Sequence, residues 1–581
     1  MAQARVMMIG LDGFELSLAD DLIARGRLPN FARLLDRSAH VRLDHGPAKR
    51  TGLAWEHISS GLAPDSARRW SAVHFDAERY GIVQKPARAR PFPASLDRRT
   101  VVFDVPYFDL AQAPEVRGLA IWGAHDPGVA QLARPSHLGD EIEARFGAYP
   151  ARKWIYGFTW PSPEAARQMA AAIERAVQTR FAIAEWLFAE RLPDWELGFF
   201  VVSEFHSAIE AQWHGIDPSH PLHGMPSAAA AGRNIEAVYE LTDRALGRLI
   251  DRFDDVRFAI FAVHGMGPND SDVASMALLP ELLYRHSFGK PCMGEGRWRT
   301  GPTGVPVMEA GRSWETEVNQ ILPHALRYRP VAARIASSLR ARLGIGDGPG
   351  EIRLDWMPAA RYRRIWPQMR AFALPSFYDG QIRINLAGRE RRGIVDPAEY
   401  ESVCDDIEAL LRSCRDSISG EPVVAAVERL SGNAAALDPS QADMVAVWKG
   451  APLGLLHPTL GTIGPLPYRR PGGHSGKSGV AYFIAEGLAP GDYGWRSAFD
   501  VVPTVIDLLG AEPVAGLDGR SLWPDMRAGA EIGGAEPACR ESIGRSSAAG
   551  GGLAAPPAAR RNIGGTADRG PTDGNEETRV I

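Results

Sequence analysis

The sequence predicts an α/β fold, with a doubly wound, mostly parallel central sheet and an inserted cap segment. Three observations lead there. Short apolar runs, too short for core-covering helices, recur at residues 6–11, 197–202, 257–263, 444–448 and 480–485. Long stretches of helical pattern lie between them, at 163–191, 228–253, 397–415 and 499–509. Several of the short runs are apolar at successive positions, as strands covered by helices on both faces are.

Taken in order, VMMIGL at 6–11 and LGFFVV at 197–202 contain no charged residue and read as central strands. The run at 257–263 opens on Arg257 and is apolar thereafter, while 444–448 (MVAVW) and 480–485 (VAYFIA) are β-branched and aromatic. The helix at 499–509 stops at Gly510, a residue that ends helices at little conformational cost. Residues 302–370 break the alternation, being rich in arginine and poor in strand runs, and are expected to form the insertion or cap. That leaves 1–300 and 371–527 as the α/β core. From 528 to 581 the chain is Gly, Ala, Pro and polar, with too little apolar surface to offset ordering entropy, and is expected to be a disordered tail.

Composition removes several classes of function. The 581 residues are 45% hydrophobic and 23% charged, as in water-soluble globular proteins. The 65 basic residues against 70 acidic ones give a net charge of -5, which argues against a nucleic-acid scaffold or a membrane-surface protein. Cys292, Cys404, Cys414 and Cys539 stand far apart with no CxxC, so neither a zinc ribbon nor a disulfide framework is indicated. With no signal-peptide pattern at the start and no run of about 18 apolar residues, the chain is expected to be cytoplasmic and unanchored.

Five places carry potential chemistry. Gly10-Leu11-Asp12-Gly13 ends the first run on a carboxylate. Sites in open α/β sheets form beyond the carboxyl ends of strands, so Asp12 either holds a cation or caps the next helix. In Gly46-Pro47-Ala48-Lys49-Arg50-Thr51-Gly52 a hydroxyl follows two cations, which offers a nucleophile beside anion-stabilising groups or simply a helix N-cap. Ser203-Glu204-Phe205-His206 follows the run at 197–202, and His206 and Glu210 are four apart. On a helix these two face one way and either grip one metal or form a solvated face. His264 follows the run at 257–263, and His474 lies in the loop Pro471-Gly472-Gly473-His474-Ser475-Gly476 ahead of the last run. A doubly wound sheet gathers strand ends on one edge, so these residues are expected to converge.

In this order and spacing the motifs resemble the alkaline phosphatase superfamily, in particular its type I phosphodiesterase/nucleotide pyrophosphatase branch and bacterial phosphohydrolase or phosphomutase-like relatives. The resemblance spans most of residues 5–523. It is carried by GLDGF with GRLPNFARLL, by Thr51 with TGLAW and SSGLAP, by AFALPSFYDGQIRINLAGRERRGIV, and by Asp500-Val501-Val502-Pro503-Thr504 with Leu517-Asp518-Gly519. It implies a metal-dependent hydrolase of small-molecule phosphate esters, diesters or monoesters, with Thr51 as nucleophile and one or two divalent ions, zinc being usual. Carried over by position, Asp12, Thr51 and His264 would serve one metal, and His206, Glu210 and His474 the other, while Lys49 and Arg50, and with them Arg469 and Arg470, would either steady substrate oxygens or stand solvated. Two departures stand out. His206 and Glu210 hold an imidazole and a carboxylate in exchanged order, and Val263 replaces the aspartate expected before His264, with Glu204 or a water as a substitute ligand. The alternative opened by Val263 is a metal-poor, non-catalytic descendant that keeps an anion-binding pocket.

Overall fold

A computed structural model of the chain describes residues 4–125, 128–155, 162–309, 312–327, 351–429 and 433–529. The chain first lays down β1 (Val6–Leu11), β2 (Ala39–Asp44), β3 (Thr100–Phe103), β4 (Arg117–Leu119), β5 (Ala133–Arg134), β6 (Leu197–Val202) and β7 (Arg257–Ala262). It then forms β8 (Ala371–Leu374), β9 (Gly380–Ile384), β10 (Val424–Arg429) and β11 (Met444–Trp448), and ends with β12 (Gly479–Ile484) and β13 (Gly491–Ser497). The central sheet has the order β13-β2-β12-β7-β1-β6-β3-β4-β5. β1 pairs in parallel with both β6 and β7, so the chain winds away from β1 to either side. β12 runs antiparallel between β7 and β2, and β5 antiparallel to β4. The expected doubly wound, mostly parallel sheet is therefore the fold of this chain, with a crevice at the carboxyl end of β1.

Alternate residues of β1 enter opposite layers. Met7, Ile9 and Leu11 join one core, and Val6 and Met8 the other. This explains a strand with no polar position, since each such side chain taken fully out of water contributes about 1.5–3 kcal/mol before ordering entropy is counted. Helices α1 (Leu16–Ala24), α2 (Pro163–Trp186), α3 (Glu204–Gln212) and α4 (Ala228–Arg252) supply the first layer. Along α2 the residues Ala166, Met169, Ile173, Val177, Arg180 and Ala184 recur at helical spacing and are buried, so a charged residue sits within an apolar stripe. Ser162 starts this helix, its hydroxyl accepting from the Ala165 N–H ahead of Pro163. Helix α6 (Val501–Leu508) and the helix Ala54–Ser60 belong to the opposite layer.

The strand expected at 444–448 exists as β11, but not in the central sheet. β8, β9, β11 and β10 form a separate four-stranded antiparallel sheet, joined by helix α5 (Tyr400–Ser413). Burial along β11 alternates, so this strand has one covered face, and its uniformly apolar sequence hides the period of two. Residues 371–448 thus do not return directly to the α/β core. Their apolar side chains share one cluster with Trp314, Val318, Leu354 and Met357 from the expected cap at 302–370. Of that cap 328–350 lie outside the described residues, as do residues 530–581 of the expected tail. Among the described residues no helix is long and apolar enough to cross a membrane.

Candidate active site at the carboxyl edge of the sheet

Each candidate ligand follows or precedes a strand. Asp12 is the first residue after β1, and its N–H donates to the Val202 carbonyl at 2.9 Å, which ties it to the end of β6. Helix α3 starts two residues after β6 and displays His206 and Glu210 on successive turns. His264 follows β7 by two residues, and His474 precedes β12. Thr51 closes a 3-10 turn, Gly46–Thr51, just after β2. A side chain at Gly10 would collide with the Trp55 ring, its Cβ lying 2.3 Å from Cη2. This contact lets the indole lie on β1 and donate from Nε1 to Asp12 Oδ1 at 2.9 Å.

The side chains converge. His206 Nδ1 lies 3.1 Å from Asp12 Oδ2, and its Nε2 lies 3.2 Å from Glu210 Oε1. The His474 ring centre is 4.7 Å from that of His206 and 5.6 Å from that of His264. Asp12, Thr51, His206, Glu210, His264 and His474 all line one cavity of about 490 Å³. Thr51 is buried, its hydroxyl donating to the Ala48 carbonyl at 2.8 Å and accepting from the Leu53 N–H at 3.1 Å. Glu315, Ile352, Leu354 and Trp356 from 302–370 form part of the wall, with Phe377 and Tyr378 from the loop between β8 and β9. The expected cap therefore borders the cavity.

Electrostatically the cluster turns on His206. Burial alone would push its imidazole down, but Asp12 and Glu210 facing its two ring nitrogens outweigh this and raise it to about 10. The ring is thus a cation between two carboxylates. Burial would push Asp12 and Glu210 up, and the cations beside them reverse this, chiefly His206 for Asp12 and Arg470 for Glu210. The other imidazoles are neutral: burial pushes His125 and His264 down to about 4 and His474 well below its ordinary value.

One group of potential metal donors adds a residue to the set expected by position. Ligand atoms of His125, His206 and Glu210 lie within 4.8 Å of one another, and among the described residues this is the group of three that does so. His125 stacks on His206 with ring centres 3.7 Å apart. It follows β4 by only six residues and carries no local motif, which is why the sequence does not reveal it. His474 Nδ1 is buried with no hydrogen-bond partner among the described residues, as a nitrogen awaiting a ligand would be.

A buried charge network sets this group. Asp104 accepts from the backbone N–H groups of Trp122, Gly123 and Ala124 at 2.6, 2.9 and 3.1 Å, fixing the loop that ends in His125. Arg180 donates to Asp104 Oδ2 at 2.7 Å and to Glu204 Oε2 at 2.9 Å, with all three side chains fully buried. Glu204 opens α3, so Arg180 links the His125 loop to the helix of His206 and Glu210. Glu204 also accepts from the Tyr149 hydroxyl at 3.1 Å. Glu204 is thus engaged by both Arg180 and Tyr149.

The two cations beside Thr51 have separate partners. Lys49 donates from Nζ to the Gly476 carbonyl at 2.6 Å, and burial lowers its ammonium. Arg50 lines the cavity but pairs with Asp379 at 2.9 Å and with Glu428. Val263 is 4% exposed and belongs to the apolar layer that also holds Leu53 and Trp55. Two further histidines lie behind His264. His45 Nε2 contacts His57 Nδ1 at 3.0 Å, and the His45 ring stacks on His264 with centres 6.0 Å apart.

No family model matches the chain, and no curated protein matches it. Similar solved structures include phosphonoacetate hydrolase from Sinorhizobium meliloti 1021 in complex with phosphonoformate, at 14% identity over 88% of this chain and 96% of that one, with a TM-score of 0.45. Human ectonucleotide pyrophosphatase/phosphodiesterase 5 is similar at 12% identity over 90% of this chain and 99% of that one, with a TM-score of 0.42. The wild-type alkaline phosphatase PafA is similar at 12% identity over 90% and 99%, with a TM-score of 0.44.

Proposed function

We propose that this chain is a metal-dependent hydrolase of small-molecule phosphate esters within the alkaline phosphatase superfamily, with Thr51 as nucleophile. The observation that carries the reading is the convergence of Thr51, Asp12, Glu210 and four imidazoles on one cavity. His125, His206 and Glu210 are a donor set suited to a borderline divalent ion such as zinc, with Asp12, His264 and His474 beside them. When bound, such an ion supplies Lewis acidity for a phosphoryl oxygen and lowers the pKa of a coordinated hydroxyl or water.

The chain's own residues do the rest. The Ala48 carbonyl and the Leu53 N–H hold the Thr51 oxygen in one orientation at the cavity wall. Attack of that oxygen on phosphorus breaks the bond to the ester oxygen, the Thr51 proton passing to the departing alcohol, and leaves phosphothreonine; water then attacks the same phosphorus, returns a proton to Thr51 and releases phosphate, or a phosphate monoester where the substrate is a diester. Trp356, Phe377 and Tyr378 make part of the cavity wall apolar, with the Tyr378 ring centre 4.9 Å from that of His474.

The test measures metal content with turnover of an aryl phosphate monoester and diester, in the native protein and in Thr51→Ala. Turnover that vanishes in Thr51→Ala while metal content persists supports the reading. Unchanged turnover overturns the nucleophile. A second reading, an anion-binding protein without turnover, is favoured by one observation: Arg470 already pairs with Glu210. Phosphate binding with neither metal nor turnover would select it.

A further inference from the structure

Glu210 Oε1 is met by two cations, Arg470 and His206. Arg470 is 6% exposed and lines the cavity. Its Nη1 donates to Glu210 Oε1, and its Nε donates to Asp272 Oδ2 at 3.0 Å. The same Glu210 oxygen lies 3.2 Å from His206 Nε2 and 3.8 Å from His125 Nε2, the two imidazoles grouped with it as metal donors. The backbone holds the arginine there. A Cβ on Gly472 would meet the Ile209 carbonyl oxygen at 2.1 Å, so the segment after Arg470 packs directly on α3. Asp272 in turn receives Arg469 Nη1 at 2.9 Å, and Arg469 Nε reaches Glu315 at 3.0 Å. Asp272 is therefore a fixed anchor, and the contact to Glu210 is the end of Arg470 that can let go.

We propose that Arg470 is the anion-binding residue of this site, parked on Glu210 until a divalent cation takes that carboxylate. A dication on His125, His206 and Glu210 would put two positive charges where His206 now carries one, and the added charge weakens the hold of Glu210 on the guanidinium. Nε stays on Asp272, while the freed Nη1 edge faces the cavity and donates to a phosphoryl oxygen in charge-assisted hydrogen bonds. Cation and anion then bind with positive coupling, and by linkage each tightens the other by the same factor. This rests on the cavity being a phosphate-ester site, but its test reads binding and not turnover.

Calorimetric titration of the full chain with Zn²⁺ alone, with inorganic phosphate alone, and with phosphate on the Zn²⁺-loaded protein tests it, in the native protein and in Arg470→Met. Removing the competitor is expected to tighten Zn²⁺ by roughly tenfold, and removing the donor to weaken phosphate on the loaded protein by roughly 10–100-fold. The opposite signs are diagnostic. An arginine that merely shapes the site would weaken both ligands on removal, and that result, or an unchanged phosphate affinity, overturns the proposal. Arg470→Lys keeps the charge and guards against a folding defect: it should leave Zn²⁺ affinity near the native value with intermediate phosphate affinity, and Zn²⁺ tightening as in Arg470→Met would count against charge competition. If the coupling holds without turnover of either ester, the hydrolase reading fails and this assignment stands. If turnover is present but the opposite signs are absent, the reverse holds.

Discussion

Replacing Arg180 by Met should be the most destabilising single change near the site. The guanidinium donates to both Glu204 oxygens at 3.0 and 2.9 Å, to Asp104 at 2.7 Å and to the Val201 carbonyl at 2.8 Å, with no solvent exposure of the three side chains. Removing one partner of a buried pair costs about 3–5 kcal/mol, because the other charge is left uncompensated. Two carboxylates are stranded here, yet Asp104 keeps three backbone N–H donors, so the cost falls mainly on Glu204 and stays within that range. Glu204 already stands above its ordinary value, chiefly through burial and against the lowering effect of Arg180, and losing Arg180 lifts it further. A carboxyl whose folded value exceeds its unfolded value of about 4.3 loses stability as pH rises through the window between them. Urea unfolding of chelator-treated protein should therefore show the variant closest to native stability near pH 5 and furthest from it at pH 8. A loss under about 1 kcal/mol at pH 8, or one that does not vary with pH, would refute the argument.

Three further outcomes are expected. Trp55→Phe removes the Nε1 donor to Asp12 and should weaken metal binding by about 10–100-fold with little change in fold, as read by metal titration and near-ultraviolet dichroism. His125→Ala should reduce metal affinity while leaving the Thr51 turn intact; equal affinity in both proteins would remove His125 from the donor set. Val263→Asp places a carboxylate in an apolar layer and should cost roughly 3 kcal/mol in chelator, recovered on adding zinc. Identical metal stoichiometry and affinity in that variant would show that this side chain does not face the site.

What the sequence reveals follows from how locally each feature is written. β1 and β6 are covered on both faces, so continuous apolar runs announce them to the residue. β2 is missed because His40, Arg42 and Asp44 alternate with the buried Ala39, Val41 and Leu43, and such a half-covered strand resembles a loop. β13, GDYGWRS, lies at the sheet edge with two glycines and no buried run. β11 is recognisable as a strand but not as a member of the second sheet, since assignment to a sheet is set by distant partners. Asp12, His206, His264 and His474 stand beside strand ends and are legible by that rule. His125 and the pairing of Arg470 with Glu210 are not, because 260 residues separate the latter two and only the packing of Gly472 on α3 brings them together.

The charge arrangement explains why so much ionisable chemistry is tolerated in the core. Asp104 and Glu204 share Arg180, Asp272 holds Arg469 and Arg470, and Glu210 is met by Arg470 and His206. Arginine remains charged throughout the physiological range, so a change of pH does not break the pairs built on it. His206 is different. Both its nitrogens face carboxylate oxygens, of Asp12 at 3.1 Å and Glu210 at 3.2 Å, and it keeps its proton up to about pH 10. An imidazole must give up a proton to coordinate a metal. A divalent ion that takes His206 as a ligand would therefore exchange one positive charge for two between Asp12 and Glu210, release a proton, and bind more tightly as pH rises toward that value. In a cluster where arginine fixes the other cations, His206 is where a proton and a metal compete, and that competition turns a structural ion network into a site able to bind one.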